Sequence, residues 1–269
     1  MQGLIFDVKE FALNDGGGIR TTVFFKGCPL RCVWCHNPEG LSPKRELYLK
    51  QKGCLHCGLC QRPCDHPDCQ GLGRCLHICP KNLVSAAGVE WEAGALAEKL
   101  LKQSDIWRET GGGVTLSGGE PLMQWAFAAE LLDCLHGRAN TAIETSGYAD
   151  EDAFRAVIDR CDFVYMDLKL MDRENHKTYT GVTNDKILRN AEYLKASGKP
   201  HTFRMPLIPG ITDTEENLAA IRAFVGDDAW EQLPYNMLAA AKYASVGREF
   251  LYVPPQTTDV TGDSKIIRG

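Results

Sequence analysis

Cys28, Cys32 and Cys35 stand in the run Cys28-Pro29-Leu30-Arg31-Cys32-Val33-Trp34-Cys35, a C-x3-C-x2-C spacing. Three thiolates on so short a loop can converge on one centre. A tetrahedral ion would take a fourth ligand, which the adjacent His36 offers, and zinc would then fit. The other option is a cubane iron–sulfur cluster with three irons held by cysteine and the fourth left open.

A second group follows, with Cys54, Cys57, Cys60 and Cys64 at C-x2-C-x2-C-x3-C spacing, then Cys69, Cys75 and Cys79-Pro80. The first four reproduce the bacterial ferredoxin run, whose fourth cysteine serves the neighbouring cluster. On that pattern one auxiliary 4Fe–4S cluster takes Cys54, Cys57, Cys60 and Cys79. A second has Cys64, Cys69 and Cys75 but meets Leu72 where its remaining cysteine would stand, with His66 and Asp68 nearby. Seven cysteines cannot supply eight ligands, so one or two auxiliary clusters are expected, with zinc as the competing reading. Cys134 and Cys161 lie in helical, partly apolar patterns and read as buried inert thiols.

Twelve cysteines, ten of them between Cys28 and Cys79, are more than a cytosolic chain keeps for disulfides, so ligation is favoured. The 269 residues are 44% hydrophobic and 24% charged, as in one or two ordinary globular domains. A net charge of −5 argues against a nucleic-acid partner bound through a basic surface. No apolar run approaches the roughly 20 residues of a membrane span. The start of the chain lacks the charged and apolar regions of a secretory signal. A cytoplasmic protein is expected, with no membrane or nucleic acid among its partners.

The elements that must position these cysteines alternate between strand and helix. Short β-branched or apolar runs occur at Thr21–Phe25, Gly113–Ser117, Thr141–Glu144, Phe163–Met166, Thr202–Leu207 and near Gln232-Leu233, with helical periodicity between most of them. Alternation of this kind implies a parallel sheet. About six βα units are too few for a closed eight-stranded barrel, so the fold class is α/β, a partial, open TIM-type barrel with a ferredoxin-like cysteine-rich insert. Residues 1–48 and 89–252 would form the barrel, residues 49–88 the insert, and residues 253–269 an irregular tail.

Ligands of parallel α/β folds collect at the carboxyl ends of the strands, and candidate polar residues fall there. Ser117-Gly118-Gly119-Glu120-Pro121 follows one strand; two glycines let backbone approach a ligand, and Glu120 can accept from an ammonium group. Glu144-Thr145 and Asp167-Leu168-Lys169 end the next two strands, where Glu144 and Asp167 could share a cation and Lys169 could meet a carboxylate. Arg204 could hold an anionic group, and Asn236 ends the last strand. Ordinary turns, helix caps and a solvated arginine explain each motif taken alone. Asp15-Gly16-Gly17-Gly18-Ile19-Arg20 is a glycine turn that could gate a channel.

Taken together the residues carry a family resemblance. The Cys28–Cys35 loop, with Trp34 before its third cysteine, resembles the signature of radical S-adenosylmethionine (SAM) enzymes. Asp15–Arg20, Ser117–Pro121, Asp167–Lys169 and Arg204-x5-Gly210 narrow this to the activating enzymes of glycyl radical enzymes, over about Phe6 to Gly247. The insert is similar to that of longer members; the shorter pyruvate formate-lyase type lacks it. The resemblance implies an oxidoreductase in which Cys28, Cys32 and Cys35 hold a 4Fe–4S cluster that binds SAM. Trp34 and His36 would flank the nucleoside, and Gly118, Gly119 and Glu120 would face the methionine amino group. Asp167 to Lys169 with Glu144 and Thr145 would lie along the methionine carboxylate and a monovalent cation, with Asn236 near the nucleoside. The implied activity is reductive cleavage of SAM to a 5′-deoxyadenosyl radical that takes hydrogen from a glycine Cα of a partner glycyl radical enzyme. The implied electron donor is a flavodoxin or ferredoxin, and the chain is expected to be a monomer. Gly17 stands where the family has proline, and Leu72 interrupts the second ferredoxin run.

Overall fold

Side-chain alternation along the strands decides how this chain folds. Runs such as Val114-Thr115-Leu116-Ser117 place apolar residues on one sheet face and polar residues on the other. The computed structural model describes residues 1–235 and 239–252. Its strands are β1 (Gln2–Ala12), β2 (Arg20–Phe25), β3 (Glu46–Leu49), β4 (Val84–Ala87), β5 (Val89–Glu92), β6 (Gly113–Gly118), β7 (Asn140–Thr145), β8 (Phe163–Asp167), β9 (His201–Leu207) and β10 (Trp230–Pro234). The helices are α1 (Ala93–Leu100), α2 (Ser104–Thr110), α3 (Trp125–Leu135), α4 (Glu151–Ile158), α5 (Arg173–Thr180), α6 (Asp185–Ser197), α7 (Glu215–Val225) and α8 (Ala240–Tyr243).

Eight strands form one sheet in the order β10-β9-β8-β7-β6-β2-β1-β5. The six from β2 to β10 in this sheet run parallel, each at a position expected from the sequence. β1 and β5 add an antiparallel edge that the βα alternation did not signal. The sheet does not close into a barrel, since β10 and β5 are its two edges.

One face carries Val23, Val114, Leu116, Ile143, Val164, Met166, Phe203 and Met205, all buried against apolar side chains of the helices. The other face carries Thr22, Thr115, Ser117, Glu144, Tyr165, Asp167 and Arg204. A closed barrel would fill that interior with branched apolar side chains; here it is polar and borders a cavity.

The cysteine-rich insert leaves the sheet through β3 and returns through β4, which pair antiparallel as a neck from Glu46↔Ala87 to Leu49↔Val84. Lys26, fully buried, staples this neck to the barrel: its Nζ donates to the Glu39 carbonyl at 2.6 Å and pairs with Glu46 at 2.9 Å. Glu46 also receives Arg248 at 2.6 Å. Among the described residues no helix is long and apolar enough to cross a membrane.

Candidate active site

β2 delivers the chain directly to the first cysteine loop, and backbone hydrogen bonds fix that loop. The Arg31 and Val33 amides donate to the carbonyls of Thr180 (2.6 Å) and Tyr179 (3.0 Å) at the end of α5. Tyr243 on α8 donates through its hydroxyl to the Cys35 carbonyl at 3.0 Å. Trp34 is buried with Leu170 and Ile208 in a small apolar cluster beside the loop.

Gly118 and Gly119 pass against the same loop. Gly118 has φ +118°, and a Cβ on it would lie 2.3 Å from the Phe25 nitrogen; one on Gly119 would lie 2.3 Å from the Gly27 carbonyl oxygen. The amides of Gly119 and Glu120 donate to Phe25 and Gly27, each at 2.8 Å. Both glycines are therefore required by packing of backbone on backbone.

The Glu120 carboxylate is buried and turned inward. It accepts from the Thr145 hydroxyl (2.6 Å), the Ser146 amide (2.8 Å), the Ser146 hydroxyl and the Leu122 amide (3.2 Å). Burial raises its pKa, and these donors act against that rise. With four protein donors on it, the side chain ties the ends of β6 and β7 together.

Across the polar face a chain of charges follows the register. Arg204 donates to Glu144 at 2.6 Å and to Glu231 at 3.0 Å, and its guanidinium lies 3.6 Å from the centre of the Tyr165 ring. Glu144 also accepts from Ser117 at 2.6 Å. The cation next to Glu144 is thus the protein's own guanidinium. Asp167 pairs with Lys169 at 2.7 Å. Burial alone would lower the Lys169 pKa, but Asp167 and the neighbouring Cys32 raise it above the usual lysine value. Lys169 stays charged throughout the neutral range.

One cavity of about 350 Å³ gathers these groups. Cys28, Cys32, Cys35, Trp34, His36, Gly118, Gly119, Glu120, Glu144, Thr145, Asp167, Lys169 and Arg204 all line it. Leu168 does not: alternation turns it to the opposite sheet face, where it is buried in the main apolar core. Asn236 and residues 253–269 lie outside the described residues. The structure adds Asn37, Ser146, Pro206, Ile208 and Tyr235 to the lining. Ser146 and Tyr235 directly adjoin Thr145 and Asn236, expected at strand ends, whereas no local pattern marks Asn37, Pro206 and Ile208, which the curl of the sheet brings to this cavity.

Three thiols facing one cavity suit a cluster better than a single ion. No three of Cys28, Cys32, Cys35 and His36 have ligand atoms within 4.8 Å of one another, which weakens the zinc option. Burial raises the Cys28 and Cys35 thiols and pushes Cys32 up to about 12. A bound metal centre would have to displace those protons. Cys54, Cys57, Cys60 and Cys79 line a separate cavity of about 210 Å³, where Arg74 donates to the Cys60 sulfur at 3.2 Å.

Residues 22–221 match the model of the Radical SAM superfamily. The chain is 34% identical to the 4-hydroxyphenylacetate decarboxylase activating enzyme of Clostridioides difficile, over 94% of this chain and 88% of that protein. It is 35% identical to the isethionate sulfite-lyase activating enzyme of Nitratidesulfovibrio vulgaris, over 92% and 88%. A solved structure of SuiB from Streptococcus suis bound to precursor peptide SuiA has 14% identity and a TM-score of 0.53, covering 84% of this chain and 40% of that one. That likeness is one of fold alone. With a superfamily match across most of the parallel sheet and relatives matched along nearly its whole length, this chain belongs to the radical SAM superfamily, among the activating enzymes of glycyl radical enzymes.

Proposed function

We propose that this chain activates a glycyl radical enzyme from the cavity at the carboxyl ends of β6 to β9. The observation that carries the reading is convergence: the three cysteines of one loop and the polar ends of four successive strands line a single cavity. Cys28, Cys32 and Cys35 would hold a 4Fe–4S cluster, with Cys54, Cys57, Cys60 and Cys79 holding an auxiliary one. When bound, the first cluster supplies the electron that cleaves SAM to methionine and the 5′-deoxyadenosyl radical that takes hydrogen from glycine Cα.

The chain's own residues bind, orient and shield. Lys169, held by Asp167, sets a fixed positive charge beside Cys32, where a carboxylate of SAM would be favoured. Glu120 orients the strand ends rather than meeting the ligand with a free oxygen. Trp34, Leu170 and Ile208 form an apolar wall that keeps water from the reacting groups. A wider opening of about 1,180 Å³ continues from the cavity and is lined by Phe6, Asp15, Tyr48, Ser85 and Tyr235. Room of this size supports entry of a peptide loop rather than a small molecule alone. A flavodoxin or ferredoxin would supply the electron.

Anaerobically reconstituted enzyme given SAM and dithionite should release 5′-deoxyadenosine. It should also raise a glycyl radical signal in electron paramagnetic resonance when mixed with its partner glycyl radical enzyme. Release of 5′-deoxyadenosine with no radical on that partner would reject the proposal in favour of a small-molecule substrate.

A further inference from the structure

The two halves of the insert treat their cysteines differently. Around the 210 Å³ cavity, no three of Cys54, Cys57, Cys60 and Cys79 bring their thiols within 4.8 Å of one another. Cys64, Cys69 and Cys75 do: their three thiols all lie within that distance. A cubane puts each thiolate on a different iron and spreads the sulfurs around the cluster. A single zinc, with Zn–S bonds near 2.3 Å, draws tetrahedral sulfurs to about 3.8 Å apart. The closed trio has the spacing of one ion, and it is the trio that lacks a fourth cysteine because Leu72 stands in the ferredoxin run.

Three further observations agree. A backbone amide points at the trio: Leu76 donates to the Cys69 sulfur at 3.3 Å. Such a donor stabilises thiolate charge. Between residues 50 and 83 the only buried residues are Cys69 and Cys75, so the trio occupies the place of a core. A segment with so little apolar burial needs a metal to hold its shape. Finally, His66 borders the same cavity as Cys64 and Cys75. Its ring lies 4.7 Å from that of His77, which itself pairs with Asp68 at 2.6 Å; His66 stands outside the closed trio, and an ion held by the three thiols would draw it inward.

We infer that Cys64, Cys69, Cys75 and His66 hold a single zinc ion in place of a second auxiliary iron–sulfur cluster. The ion closes the tip of the insert, while the neighbouring cysteines keep the one auxiliary cluster. The donor set, three thiolates and one imidazole, is that of closed structural zinc sites.

Metal analysis of the full chain, purified anaerobically after expression with ample iron, tests this without SAM or partner, so it is read apart from the activating function. About eight irons and about one zinc per chain are expected. About twelve irons without zinc would overturn the inference, and so would about eight irons with no other metal. Cobalt(II) in place of zinc should give a thiolate-to-cobalt absorption band that His66→Ala shifts and Cys69→Ser abolishes. His66→Ala leaves all three thiols in place; it should speed zinc loss to a chelator about tenfold or more with iron unchanged. Iron falling by about four in His66→Ala would instead place a cluster there and overturn the assignment.

Discussion

At Gly119 the chain runs between two backbones. A Cβ there would meet the carbonyl oxygens of Gly27 at 2.3 Å and Gly40 at 2.5 Å, and neither can move without displacing the Cys28 loop. Gly119→Ala should therefore lower the iron bound by the first cysteine loop as well as the melting temperature, which iron analysis and a thermal scan would show together. Gly17 is a useful control, because nothing lies within 4 Å of its missing Cβ and Gly17→Ala should leave both unchanged. Arg204 offers a second test. Its removal leaves Glu144 and Glu231 without their buried cation, and breaking such a pair costs about 3–5 kcal/mol. Arg204→Met should show a loss of that order in urea unfolding, with part of it recovered in the double variant Arg204→Met/Glu144→Gln. Additive losses would mean that the two groups do not depend on each other.

The element that matters most to the first loop is α5. Its last residues, Tyr179 and Thr180, accept the loop's amides, and His176 holds that end from within. The Val182 carbonyl accepts from His176 Nδ1 at 2.7 Å, so that nitrogen carries the proton. Nε2 is buried without a hydrogen-bond partner among the described residues. Burial, reinforced by the charge of Lys169, lowers the His176 pKa below the ordinary 6.5, and the Val182 hydrogen bond only partly offsets this. The sign follows: the folded protein keeps the ring neutral while the unfolded chain protonates near 6.5. This contribution is complete above that pH and declines as pH falls through it. Urea midpoints at pH 7.5 and 5.5 should differ more in the parent than in His176→Gln. An equal pH dependence in the two proteins would remove His176 from the account.

For the whole molecule, the barrel and the insert hold separate cavities joined by the β3–β4 neck. Dithionite can reduce a cluster directly, so Cys54→Ser/Cys57→Ser should retain SAM cleavage by the dithionite-driven enzyme. Activation driven by a flavodoxin or ferredoxin should fall if the insert relays electrons. Unchanged activation with the protein donor would rule out the relay and leave the insert as a docking or structural part.

The sequence by itself determined the chemistry and its order along the chain. The spacing Cys28-x3-Cys32-x2-Cys35, the ferredoxin run and six apolar segments each depend on neighbours a few residues apart, and such local patterns survive in one dimension. It also carried the strand ends, since Glu120, Glu144, Asp167 and Lys169 follow recognisable strands. Three things were decided only by tertiary structure. The sheet's alternation sent Leu168 to the core while its neighbours on either side faced the cavity. The pairing of Arg204 with Glu144 and Glu231 joined residues tens of positions apart and put a residue of the cavity lining at the centre of a buried ion network. The closing of Cys64, Cys69 and Cys75 on one another set them apart from the open ring of Cys54, Cys57, Cys60 and Cys79. Spacing limits which thiols can meet, but the distance at which they meet, and hence one ion or a cluster, depends on the path of the backbone between them.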